Sequence, residues 1–209
     1  VKGNAPLNNV NLNFTGGSDK VNYYVSLSNL FQNSVLGREY KFNRTNFQSN
    51  IDAQITKSFK IGAQISGRVE DRQNPGVPGT DDYWEARFAI LRDAPWERPY
   101  ANDNPAYLNE IGHDNENWGL LNDKMSGQYR DTWRVLQANL NAEWKTPLPG
   151  LTFKGLFSYY YANELLNNHE YTYTTYTFNQ ADSTYIPAGG SSNPWRERTQ
   201  QMKITTDIQ

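Results

Sequence analysis

The stretch Val10–Phe31 constrains the fold more than any other part of the chain. Val10, Leu12 and Phe14 alternate with polar residues, and the alternation resumes in Val21–Phe31 after the turn-forming run Gly16–Lys20. A period of two is that of a β-strand with one apolar and one polar face. The stretch therefore predicts a β-hairpin. Its polar face carries Asn, Thr, Ser and Gln rather than the scattered Lys and Glu of a water-facing sheet.

The same alternation recurs along the chain. No helical period interrupts the first four alternating runs. The predicted fold class is all-β, an antiparallel transmembrane β-barrel segment made of a meander of about seven strands. Because bacterial barrels have even strand numbers, we expect residues 1–209 to be part of a larger barrel. The predicted strands lie near 10–16, 21–32, 41–56, 60–72, 132–145, 151–162 and 198–208.

Two long segments, near 74–131 and 163–197, lack the alternation and are rich in Pro, Gly, Asp, Asn and aromatic residues. Inside the first segment, residues Asp82–Leu91 are predicted to form a short helix. Neighbouring strands of a meander run in opposite directions, so both long segments should leave the same end of the sheet. Short turns at one end and long loops at the other are typical of outer-membrane barrels.

Composition narrows the class of protein. The 209 residues are 37% hydrophobic and 14% aromatic, and the mean hydropathy of -0.82 is compatible with strands that expose apolar residues only at alternate positions. No apolar run approaches the ~20 residues of a membrane-spanning helix. There is also no secretion signal, so we expect the chain to begin inside a longer precursor. The net charge of -2 argues against a nucleic-acid partner, and the absence of cysteine excludes disulfides and thiolate metal ligands.

The alternation also assigns faces. Apolar residues of the later strands are predicted to face lipid, and charged residues at the intervening positions are predicted to face the lumen. There they would line the channel, contact a plug, or pair with one another. Two aromatic bands are expected to flank the apolar middle. The band near the short turns comprises Tyr23, Phe59, Trp144 and Phe153, and the band toward the long loops comprises Phe31, Trp133, Tyr159, Tyr160 and Tyr161. The lipid-facing set is Leu136, Leu140, Trp144, Phe153 and Phe157, and the lumen-facing set is Asp52, Arg68, Glu70, Glu143 and Lys154.

Three segments carry a resemblance to a known family. They are GGSDKVNYYVSLSNL at Gly16–Leu30, NRTNFQSNIDAQITKSFKIGAQISG at Asn43–Gly67, and PLPGLTFKGLFSYYY at Pro147–Tyr161. Together they resemble the barrel region of the SusC/RagA family, the TonB-dependent outer-membrane transporters of Bacteroidetes. The resemblance covers the strands from Val10 to Tyr161 and not the loops.

The resemblance implies a ~22-stranded barrel with an N-terminal plug, located in the outer membrane. It also implies import driven by TonB, a SusD-like surface lipoprotein as a lid, and an oligosaccharide or oligopeptide as cargo. The signal peptide, the TonB-contacting segment and the plug of a full member have no counterpart in these residues. The family supplies no catalytic residues and no cofactor, so we expect neither an enzyme nor a bound cofactor.

The long segments hold the remaining candidates. Trp84, Trp96, Tyr100 and Trp118 are predicted to contact substrate or lid, and the alternative is that they pack the loop. Asp114–Glu116 lacks the spacing of a calcium loop, and His113 and His169 lie too far apart in sequence to indicate a metal site. Two other functions stay open, a secreted β-sandwich carbohydrate-binding module and a glycoside hydrolase fragment that uses two loop carboxylates.

Overall fold

A computed structural model describes residues 4–76, 82–111, 117–190 and 198–209, with the backbone alone for 82–85 and 198–200. Its main element is a seven-stranded antiparallel sheet in the order β1-β2-β3-β4-β6-β7-β10. The predicted antiparallel meander of seven strands is confirmed. The strands are β1 Leu7–Gly17, β2 Val21–Ser34, β3 Gly37–Thr56, β4 Phe59–Pro75, β6 Gly127–Lys145, β7 Thr152–Glu170 and β10 Arg198–Ile208.

The remaining elements lie between β4 and β6, called the first long loop (76–126), and between β7 and β10, called the second long loop (171–197). Both leave the same end of the sheet, because β4 and β7 run in the same direction through the antiparallel order. Among the described residues, neither helix combines the length and the apolar character needed to cross a bilayer. The elements are α1 Asp82–Leu91, β5 Leu108–Asn109, α2 Asp123–Ser126, β8 Thr174–Asn179 and β9 Thr184–Gly190.

The second long loop is shorter and more ordered than the sequence predicted. β7 continues to Glu170 rather than ending near 162, because its backbone stays paired with β6 and with β10 on either side. The residues that follow form the hairpin β8–β9. The outer loop predicted near 163–197 therefore begins later, after Glu170, and part of it is a β-hairpin. The helix at Asp82–Leu91 agrees with the prediction for the first long loop.

The register gives the sheet two distinct faces. The apolar face carries Leu27, Phe47, Leu136 and Phe157, and the polar face carries their sequence neighbours on the same strands. Leu140 illustrates the apolar face, since it lies opposite Ala63 and Phe157 and remains 47% exposed. No second layer covers this face within the described part of the chain, so the apolar residues do not form the core that a β-sandwich needs.

Two aromatic residues depart from the predicted bands. Trp133 lies opposite Glu70 and Glu164, and Tyr160 lies opposite Gln137. Both therefore belong to the polar face, so their assignment to a membrane-interface band is wrong. The reason is the pleat, which turns successive residues to opposite faces and divides the run 159–161 between them.

Candidate functional site

The apolar face of the main sheet extends across all seven strands. A soluble monomer rarely exposes more than a few hundred Å² of contiguous apolar surface, so this face requires an apolar environment. The five residues predicted to face lipid lie on it, and Trp144 stacks on Phe153 with ring centroids 5.9 Å apart. Its exposed members include Val10, Leu12, Phe14, Tyr23, Leu27, Phe47, Ile51, Ile65, Val69, Leu136, Leu140, Trp144, Phe153 and Phe157.

The polar face carries two groups of ion pairs. In the group nearer the short turns, Lys60 Nζ lies 3.7 Å from Asp52 Oδ1, and Lys154 Nζ lies 3.5 Å from Glu143 Oε2. The side chains involved are mostly well exposed, so each pair contributes about 1 kcal/mol at most. Asp52, Glu143 and Lys154, which the sequence assigned to one face, therefore share that face and are paired.

The second group lies further toward the long loops. Glu70 Oε1 accepts ion pairs from Arg68 Nε at 3.4 Å and from Arg44 NH1 at 3.7 Å. The Glu70 carboxylate thus balances part of the charge of two guanidinium groups on the polar face. Arg68 and Glu70 were both predicted for this face, whereas Arg44 was not.

Between the two ionic groups the polar face is lined by uncharged amides. Gln48, Asn50, Gln64, Gln137 and Asn139 surround a shallow depression of about 310 Å³. Ser158 donates from its hydroxyl to Asn139 Oδ1 at 2.9 Å across the β6–β7 pair. The whole face therefore offers hydrogen-bonding and charged groups to whatever lies against it, and no apolar anchor at its centre apart from the flank of Ile65.

The two long loops are joined by a second sheet in the order β5-β8-β9. β5 from the first long loop pairs in parallel with β8 from the second, and Thr175 donates its hydroxyl to Glu110. Tyr107 stacks on Tyr185 with centroids 3.9 Å apart and rings 6° from parallel. Asn104 Nδ2 also donates to the Tyr185 hydroxyl at 3.2 Å. The two loops therefore form one connected structure above the sheet.

The first long loop has a small core organised around Asn117, which is 1% exposed. The Asn117 Nδ2 group donates to the carbonyl oxygens of Pro99 at 3.1 Å and Asn109 at 2.9 Å. Its Oδ1 accepts from the Gly119 amide at 2.7 Å. One side chain thus ties together three separate stretches of the loop. Sequence reasoning missed this residue, because an asparagine in an Asn-rich segment gives no pattern.

The comparisons with known proteins agree with this architecture. The chain is 28% identical over 211 residues to TonB-dependent receptor P3 of Formosa agariphila, a match that covers 90% of this chain. TonB-dependent receptor P26 of the same organism is 28% identical over 114 residues, which is 48% of this chain. This confirms the predicted relationship to TonB-dependent transporters. The chain spans 20% of the length of P3 and 11% of P26. No protein-family model matches the chain.

A solved structure supports the same barrel fold. The chain matches the structure of the RagAB peptide importer in the closed-closed state with a TM-score of 0.61 and 23% sequence identity. The match covers 80% of this chain and 19% of that chain. The seven-stranded sheet therefore has the fold of part of the barrel in that structure, although these strands alone do not close a barrel.

The four aromatic residues predicted to contact substrate or lid have different environments in this barrel segment. Trp96 is 80% exposed, whereas Trp118 packs against the buried cluster of Tyr40, Ala86, Ala89 and Leu121. Tyr100 is half-buried and forms a backbone bridge with Leu108. Trp84 lies in α1, but its side chain is outside the described residues. Trp96 alone of the three described side chains presents most of its surface to solvent.

The residues considered as metal ligands are not brought together in the described part of the chain. No group of three or more His, Asp or Glu side chains in the described part of the chain has the arrangement of a metal site. His169 lies near the end of β7, in edge-on contact with Tyr171. His113, Asp114 and Glu116 fall outside the described residues.

We expect Tyr185 to hold the two long loops together. Tyr185→Ala should weaken the loop pairing by about 0.5–1.5 kcal/mol beyond the loss of buried area, because it removes the stack on Tyr107. Tyr185→Phe should have a smaller effect, since it deletes only the hydrogen bond from Asn104. Hydrogen exchange of the full-length protein measures this as faster exchange at Leu108–Asn109 and in the β8–β9 hairpin. Unchanged exchange in the first long loop of the alanine variant would contradict the coupling.

Proposed function

We propose that the protein containing this chain is an outer-membrane transporter that imports nutrient oligomers, glycan or peptide, by a TonB-dependent mechanism. The observation that carries the proposal is the exposed apolar face, which runs over seven strands opposite a polar and ionic face. In a transmembrane barrel the apolar face contacts lipid and the polar face lines the interior. The relationship to TonB-dependent receptors supports the mode of energy supply.

The proposed orientation follows from the loops. The long loops face the cell exterior and the short turns face the periplasm, as in other outer-membrane barrels. Leu136, Leu140, Trp144, Phe153 and Phe157 then contact lipid. The paired charges at Asp52, Arg68, Glu70, Glu143 and Lys154 face the lumen, where they line the channel or contact a plug supplied by another part of the protein.

The joined long loops are the proposed place of contact with a SusD-like surface lipoprotein and with the substrate. Trp96, together with the exposed Ile90 and Leu91 of the same loop, offers apolar surface at the exterior end. Buried aromatic anchors supply much of the binding energy in protein interfaces. Trp118 instead stabilises the loop from inside, and Tyr100 is bridged through its backbone to the buried Leu108.

The test uses the full-length protein in its native cells. Membranes are fractionated, and the purified protein is run on electrophoresis with and without boiling. Recovery in the outer membrane with heat-dependent mobility is expected of a closed barrel. Recovery in a soluble fraction without a mobility shift would overturn the proposal.

The same preparation tests the lid contact. A surface lipoprotein should co-purify with the wild-type barrel, and Trp96→Ala should reduce its recovery. The control is Leu148→Ala, which removes another well-exposed apolar side chain, in the turn between β6 and β7 at the opposite end. Equal recovery with Trp96→Ala and wild type would place the lipoprotein contact elsewhere.

A further inference from the structure

The apolar face has a gap at Gly67. In the register, Phe47, Gly67, Leu136 and Tyr161 lie side by side on four neighbouring strands. Because glycine has no side chain, a shallow cavity of about 350 Å³ opens in this row, with Phe47, Leu136 and Tyr161 among its lining residues. A Cβ atom built at Gly67 would meet only the carbonyl oxygen of Val135, at 3.8 Å. The gap is therefore open to an external group.

A cation lies at the edge of this gap. Arg134 lines the cavity, lies opposite Val69 on β4, and shares the apolar face. Among the described residues, no carboxylate lies within ion-pair distance of Arg134. An unpaired guanidinium beside apolar side chains keeps its charge by extending toward a polar or anionic partner.

On the same face, the surface between Arg134 and the long loops carries more positive than negative charges. Lys41, Gln73 and Arg130 form one lateral row on β3, β4 and β6. The acidic residue beside them is Asp71, whose two carboxylate oxygens accept from Arg130 Nε at 2.8 Å and NH2 at 2.9 Å. Arg130 is thus paired with Asp71, whereas Lys41 and Arg134 form no ion pair among the described residues.

We propose that the Gly67 gap and Arg134 form a binding site for a phosphorylated lipid of the surrounding membrane. An acyl chain fills the gap between Phe47 and Leu136, and the phosphate is bound by the Arg134 guanidinium. Arginine presents paired donors that match phosphate oxygens, and Lys41 and Arg130 add positive potential on the headgroup side. The proposal rests on the proposed membrane location, because a lipid reaches this face only in a bilayer.

The arrangement fits a lipid better than a free phosphate. The site has an apolar cavity on one side and the Arg134 guanidinium on the other. An amphiphile has the same arrangement, with an acyl chain at one end and a charged headgroup at the other. A soluble anion would gain nothing from Phe47, Leu136 and Tyr161. The position of the cations toward the long loops also places the headgroup in the outer leaflet under the proposed orientation.

The experiment measures lipid binding to the full-length transporter purified in a neutral detergent. Native mass spectrometry counts bound diphosphoryl lipid A, with phosphatase-treated lipid A and inorganic phosphate as separate arms. Arg134→Ala should weaken binding of the phosphorylated probe about fivefold, as expected for one cation near an anionic surface. Gly67→Leu should also weaken it, because the new side chain occupies the gap and its Cβ atom meets nothing closer than 3.8 Å.

Two matched variants serve as controls. Gly155→Leu fills another open glycine position on the apolar face, at a cavity lined by Ile51, Leu140 and Phe157 with no cation. Arg38→Ala removes an exposed arginine at the start of β3. Neither control should change binding of the phosphorylated probe.

The outcomes separate this proposal from the proposed function. If Arg134→Ala and Gly67→Leu bind the phosphorylated probe as wild type does, while all variants keep heat-dependent mobility, the lipid site is overturned and the barrel stands. Equal binding of the phosphatase-treated probe, or full competition by inorganic phosphate, also overturns it. Loss of heat-dependent mobility in the wild type would overturn the membrane barrel itself.

Discussion

Leu140→Arg is expected to destabilise the barrel by about 2–4 kcal/mol, because the proposed membrane location places this cation on the lipid face near the bilayer midplane. Leu140 lies in the middle part of β6, with Ala63 and Phe157 on either side. None of these neighbours carries a charge or a hydrogen-bond acceptor, so the guanidinium would have only lipid around it. Reversible unfolding of the full-length protein in lipid vesicles, followed by electrophoretic mobility, measures the difference.

The matched control is the next residue in the chain. Asn141 lies on the polar face opposite Gly62, and its amide reaches the same space as the Asp52 carboxylate. An arginine there would meet hydrated and acidic groups, so Asn141→Arg should cost far less. Equal destabilisation by the two substitutions would contradict the assignment of the faces.

Asn117→Ala is expected to lower the local stability of the first long loop by about 2–4 kcal/mol. It removes three hydrogen bonds, each contributing roughly 0.5–1.5 kcal/mol, and leaves the carbonyls of Pro99 and Asn109 without their side-chain donor. The strands of the main sheet do not depend on this residue, so the barrel itself should unfold as before. Limited proteolysis of the native protein should therefore cut the loop and spare the barrel.

Asn122→Ala provides the comparison within the same loop. The Asn122 side chain accepts one hydrogen bond, from the Lys124 amide at 2.9 Å, at the start of α2. Loss of this single cap should cost about 0.5–2 kcal/mol. If Asn117→Ala were cleaved no faster than Asn122→Ala, Asn117 would not be the organising residue of the loop.

The strands of the main sheet could be predicted because the pattern that specifies each strand lies in consecutive residues. Apolar and polar residues alternate strictly around Leu140 and Asn141, and a period of two fixes both the strand and its faces. The alternation fails after Ala162, where Asn163, Glu164, Asn167 and Asn168 place polar groups on both faces. β7 nevertheless continues, because backbone pairing on both sides does not depend on side-chain polarity.

The loop structure could not be predicted because its information is not local. The hydrogen bond from Asn104 to Tyr185 joins residues 81 positions apart, and the contact of Thr175 with Glu110 spans 65. Nothing in the local sequence around Tyr107 indicates which distant aromatic ring it stacks on. Composition likewise did not distinguish the exposed Trp96 from Trp118, which packs against the buried cluster, although both lie in Pro- and Asn-rich surroundings.

The sheet shared by the two long loops restricts which changes in loop length and sequence such a barrel can tolerate during evolution. β5 contributes only Leu108 and Asn109, and apart from the bridge of Leu108 to Tyr100 its strand pairing depends on β8. An insertion or deletion in either loop therefore disturbs the other, even though the coding regions are far apart. The two loops should be inherited as a unit, and a chimera that exchanges one loop without its partner should lose the architecture of both.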